Sequence, residues 1–67
     1  MKKLSEECIN FRALHGLTQK KFANVLGISL PTLIAIEKEH RTPSRYMDLR
    51  IRMYINGERP AGTIPLE

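Results

Sequence analysis

The side chains equipped for chemistry in this chain are few, and their spacing says more than their number. His15 and His40 stand far apart, with no carboxylate or thiol at a metal-ligand spacing, so both read as surface residues. Cys8 is the only cysteine and can close no internal disulfide; it falls at an apolar helical position that suits a small core residue better than a reactive thiol. Glu6 and Glu7 read as favourable charges in the first turn of a helix, not as an acid-base pair. No glycine-rich phosphate loop, nucleophile elbow or Ser/His/Asp set with supporting context occurs. The sequence therefore predicts a protein that is not an enzyme and takes no cofactor or metal. The chemistry left is that of charge and hydrogen bonding: Lys38, His40, Arg41, Thr42 and Arg45 gather in one short stretch, where they can meet phosphate oxygens.

Those residues must be positioned by one small domain. A chain of 67 residues buries only about 60% of its unfolded surface, which excludes two cores. Its 42% apolar and 27% charged residues are those of an ordinary folded domain, not a disordered tail. No apolar run approaches the roughly 20 residues of a membrane span, and Met1-Lys2-Lys3 leads into charge rather than a signal core, so a cytoplasmic protein is expected. Eleven Lys and Arg against seven Asp and Glu give a net charge of +4, with a pI near 9.6, which favours polyanionic partners.

Apolar spacing and punctuation place the elements. Leu4, Cys8, Phe11 and Leu14 repeat at four and three, which predicts a first helix over 4–14. Thr18 stands as the N-cap of a second over 19–26, on which Phe22, Ala23 and Leu26 share a face. Gly27 supplies a left-handed stop, and Ser29 caps a third helix running from about Leu30 to Lys38 or Glu39, with Pro31 tolerable in its first turn. Pro43-Ser44 opens a fourth segment in which Tyr46, Met47, Arg50, Ile51 and Tyr54 suit a helix ending near Asn56-Gly57. The alternation of Leu49, Ile51, Met53 and Ile55 with Arg50, Arg52 and Tyr54 also suits an edge strand before an Asn-Gly turn, although the helix is preferred. Residues 1–57 form the expected domain and 58–67, with two prolines and a glycine, an irregular arm, partly ordered at most.

Gly16-Leu17-Thr18-Gln19, Phe22-Ala23, Leu26-Gly27-Ile28-Ser29, Thr32-Leu33, Ile36-Glu37 and Pro43-Ser44, in that order, resemble the helix-turn-helix signature of the Cro and phage-repressor (XRE, lambda-repressor-like) family. The resemblance covers about residues 4 to 55. It implies an all-α fold, a compact bundle of four to five short helices containing a helix-turn-helix. It also implies a transcriptional regulator of a phage or mobile element that binds double-stranded DNA as a homodimer and represses by occupying an operator. Ala23 is small where two helices must cross closely, and Gly27 and Ile28 serve the turn between them. The resemblance makes Gln19 a phosphate contact, beside Thr18 at a helix N-terminus whose N–H groups attract anions, and makes Arg12 and Glu37 a structural ion pair.

On the third helix, Ser29, Thr32, Leu33 and Ile36 cluster on the side expected to pack inward, and Leu30, Pro31, Ile34, Ala35 and Lys38 on the side expected to face solvent. The expected DNA-binding set comprises Thr18, Gln19, Ser29, Leu30, Pro31, Thr32, Ile34, Ala35, Lys38, His40, Arg41, Thr42 and Arg45. Family members commonly carry hydrogen-bonding residues on the outer side, whereas four of the five here are apolar. Two readings compete: contact with thymine methyl groups supported by phosphate binding, or an apolar patch for a protein partner such as a repressor, as in an antirepressor. Helix 4 and the arm from Ile55 to Leu66 are the expected dimer surface, since Tyr54, Ile55, Ile64 and Leu66 are apolar beyond what one domain needs.

Overall fold

Four helices follow one another, with no strand among the described residues: α1 (Leu4–His15), α2 (Gln19–Leu26), α3 (Leu30–Glu37) and α4 (Arg45–Ile55). The structure, a computed structural model, describes residues 2–66, so Met1 and the last position of the expected arm lie outside the described residues.

Local chemistry fixes the helix ends. Thr18, Ser29 and Ser44 sit at extended backbone and each accepts, through its side-chain oxygen, the N–H three residues on, at Lys21, Thr32 and Met47. Each such cap stabilises its helix by about 1 kcal/mol. Gly16 and Gly27 close α1 and α2 in the left-handed conformation, at φ 65° and 73°. At the end of α3, Lys38 is the C-cap, and Glu39 adopts a φ of 61° where glycine is the usual choice. Its carboxylate is held there by the Ser5 hydroxyl at 3.0 Å and Lys3 at 3.6 Å.

The core is built from Leu4, Cys8 and Phe11 of α1, Phe22, Ala23, Val25 and Leu26 of α2, Leu33 and Ile36 of α3, and Ile51 and Tyr54 of α4. Each large apolar side chain fully buried there contributes about 1.5–3 kcal/mol over leaving it exposed. Leu14 departs from the expected face and is 80% exposed. A step of 3.6 residues per turn carries it roughly 90° from the stripe of Leu4, Cys8 and Phe11; His15 continues that stripe, with its ring 4.3 Å from that of Phe11.

Residues 45–55 are helix, not an edge strand. Met47, Ile51 and Tyr54 turn inward at helical spacing, and Leu49 and Tyr46 remain exposed. Arg45, expected in the loop after α3, is the first residue of α4 because Ser44 caps the helix there.

Tyr54 corrects the expected dimer surface. It is fully buried, its ring 6.2 Å from Phe11 and 6.4 Å from Phe22, and its hydroxyl donates to the Ile64 carbonyl. Burial raises its pKa, against an opposing pull from Arg59, whose guanidinium lies 4.3 Å over the ring. Ile55 and Leu66 also pack against the core, which leaves only Ile64 of the expected set well exposed. The arm is irregular but follows a defined path. Ile64 N–H donates to the Val25 carbonyl at 2.8 Å, one of the carbonyls that the end of α2 leaves unpaired, and Arg50 donates to the Ala61 carbonyl at 3.0 Å.

Candidate nucleic-acid interface

The site starts from a buried charge. Glu37 is 7% exposed, and both its oxygens are engaged by Arg12: Nε donates to Oε2 at 2.7 Å and Nη2 to Oε1 at 2.8 Å. This fork-to-fork geometry is the strongest form of the pair. The third guanidinium nitrogen donates to the Leu17 carbonyl at 3.2 Å, so one residue of α1 holds both α3 and the loop leading into α2. Hydrogen bonding to Glu37 raises the Arg12 pKa against the opposing effect of burial.

Gln19 completes the cluster. Its amide Nε2 donates to Glu37 Oε1 at 3.0 Å, which places a half-buried side chain, one N–H committed inward, at the first position of α2. Thr18 beside it is exposed and spends its hydroxyl on the helix cap. The N-terminus of α2 is thereby pinned to α3 through a single carboxylate.

α3 packs against both α1 and α2. Leu33 and Ile36 point inward as expected, but Ser29, expected on the same side, is exposed, and Thr32 is half-buried. Ser29 serves as the N-cap, and its hydroxyl lies 2.6 Å from that of Thr32. On the opposite side, Pro31 and Lys38 face solvent, whereas Leu30, Ile34 and Ala35 are half-buried. The open apolar patch expected here is therefore smaller. An eight-residue helix set into its neighbours shares even its outer side chains with them.

Exposed polar and cationic side chains follow α3 in the chain. His40, Arg41, Thr42 and Arg45 are exposed, and Lys38, Arg41 and Arg45 have no ion-pair partner among the described residues. Sequence reasoning passed over Lys20 and Lys21, two exposed cations in the first turn of α2, equally without a partner among the described residues. With Thr18 and Asn24 they border an open groove of about 440 Å³ that also meets the apolar Ala23, Ile28 and Leu30. A readable signal marks them: no Asp or Glu occurs from Cys8 to Ile36. The acids outside that run are largely neutralised, Glu37 by Arg12, Glu39 by Lys3, and Asp48 and Glu7 by Arg52.

Two short helices joined by a three-residue turn, the first bearing the unpaired Lys20 and Lys21 and the second backed by the rest of the bundle and followed directly by Lys38, define a helix-turn-helix unit. The helix-turn-helix family model matches residues 10–46, and the chain belongs to that family, in its XRE branch. It is similar to an uncharacterized HTH-type transcriptional regulator of Methanocaldococcus jannaschii, with 46% identity over 44 residues, which are 66% of this chain and 67% of the relative. No solved structure matches. Among the described residues, no helix is long and apolar enough to cross a membrane.

Proposed function

We propose that this protein is a DNA-binding transcriptional regulator of the Cro and repressor type, which lays α3 in the major groove and holds the flanking phosphates with Lys20, Lys21, Lys38, Arg41 and Arg45. The observation that carries this reading is the set of exposed cations Lys20, Lys21, Lys38, Arg41 and Arg45 on and after the helix-turn-helix, without ion-pair partners among the described residues, while Glu37, Glu39 and Asp48 are already paired. Such a surface attracts a polyanion by counterion release. Family membership and the similarity to a relative named as an HTH-type transcriptional regulator point the same way.

Thr18, Gln19 and the open N–H groups at the start of α2 meet one phosphate; His40 and Thr42 meet others at the far end of α3. Ser29, Leu30, Pro31, Thr32, Ile34 and Ala35 lie along the groove. Regulation is repression by occupancy, with two copies on a pseudo-palindrome about one helical turn apart. Arg12 and Glu37 act in the fold beneath the interface rather than on DNA.

Purified protein titrated into labelled duplex from around its own coding region, against scrambled duplex and across a salt series, tests the reading. A preference of about a hundredfold or more for the native fragment, with affinity falling steeply in log salt, is the expected result. Equal, weak binding to both duplexes rejects a sequence-specific regulator and directs attention to a protein partner for α3. Sedimentation of the protein alone and on the duplex, with two chains per site expected, tests the dimer.

A further inference from the structure

On α3 and its N-cap, the side chains able to read a base edge by hydrogen bonding are few, and Ser29 and Thr32 are engaged with each other. The Ser29 and Thr32 hydroxyls lie 2.6 Å apart, and Ser29 also accepts the Thr32 N–H at 3.3 Å. At the start of α2, the Gln19 amide commits one N–H to Glu37. Between them and Lys38, the outer side of α3 presents only Leu30, Pro31, Ile34 and Ala35. In the major groove, the one feature of a base pair that an apolar side chain can recognise is the methyl group on C5 of thymine.

Charge settles the occupant of this face. Lys20 and Lys21 share a groove with Leu30 and Lys38 follows α3 directly, all three without ion-pair partners among the described residues, so the ligand is a polyanion with apolar projections, which describes the major groove of a thymine-rich duplex. From this we infer that α3 reads DNA through pyrimidine 5-methyl groups. An aliphatic side chain registers the methyl and not the neighbouring O4 or N4, so thymine and 5-methylcytosine are equivalent to it, and uracil and unmodified cytosine are both deficient. This inference rests on the DNA-binding reading and narrows it to a substrate class: duplexes bearing 5-methylpyrimidines in the contacted steps.

The experiment alters the DNA and leaves the protein intact. The full chain selects from a random-sequence duplex library, and the winning duplex is remade with deoxyuridine at each thymidine in turn. It is also remade with each T·A pair replaced by C·G or by 5-methyl-C·G. At contacted positions uracil weakens binding about fourfold, the factor for losing burial of one methylene-sized group. Unmodified C·G weakens it at least as much, and 5-methyl-C·G restores it to within about twofold. Uracil penalties at particular positions disappear in Ile34→Ala or, at an exposed side chain, Pro31→Ala, with thermal melts confirming that each variant is folded. If uracil is harmless throughout, or 5-methyl-C·G binds no better than C·G, methyl reading is overturned while DNA binding stands. Penalties unchanged in both variants remove Pro31 and Ile34 as the readers. If the library yields no enriched duplex, the DNA-binding reading falls, and this inference with it.

Discussion

At the scale of single residues, the carboxylate of Glu37 has the most dependents. Arg12→Met leaves it buried without its cation, and a loss of about 3 kcal/mol in urea unfolding is expected, because an uncompensated buried charge costs more than the pair contributes. Gln19→Met removes a donor from the same carboxylate yet leaves Arg12 in place, so it is expected to cost about 1 kcal/mol in the same measurement. Cys8 gives a pH dependence. Burial first, and then the nearby Glu37 charge, push its thiol from 9.0 up to about 12. The folded state favours the neutral thiol, so its contribution is fully present below pH 9 and is lost as pH rises through the window to about 12. Within that window Cys8→Ala is expected to flatten the fall in stability by up to about 1.4 kcal/mol per pH unit, as seen in urea titrations of both proteins. Arg12 and Glu37 each stand out in the sequence as a charge on an otherwise core-facing part of a helix, but that they meet across 25 positions was legible only through family resemblance. The bond from Gln19 to Glu37 was not legible at all, because it depends on where α3 crosses α2.

At the scale of elements, the boundaries were the most legible feature. Thr18, Ser29 and Ser44 as caps, and Gly16 and Gly27 as stops, act through bonds within a few residues, so the sequence itself contains their physics. Leu14 was misread because spacings of three and four both satisfy a helical face, and only the packed neighbours decide between Leu14 and His15. The helical fate of 49–55 depended likewise on Tyr54 finding Phe11 and Phe22. The two stops also differ in what surrounds them. A Cβ added at Gly16 meets nothing within 4 Å, whereas one at Gly27 comes within 2.5 Å of the Gly62 carbonyl oxygen. Gly16→Ala is therefore expected to cost only the left-handed strain, on the order of 1 kcal/mol. Gly27→Ala must in addition displace the arm, and its thermal melt is expected to fall clearly below that of Gly16→Ala.

At the scale of the whole molecule, the arm is part of the fold that presents the helix-turn-helix. Residues 61–64 tie the ends of α2 and α4 together through Val25, Arg50 and Tyr54, and Leu66 packs against the core. Truncation after Glu58 is expected to remove about 2 kcal/mol, a drop on the order of 10 °C in Tm for a domain of this size, measured by circular dichroism. An unchanged Tm would show that the arm only rests on the surface. This docking was illegible because prolines and a glycine in sequence announce irregularity but not adhesion. The same buried architecture gives the protein a built-in clock. Cys8 is the chain's only thiol and is wholly enclosed by the helices, so a sulfhydryl reagent added to the native protein reacts only as fast as α1 lifts away. The rate of labelling, followed with and without bound duplex, then reports how far occupancy of one face slows the opening of the other.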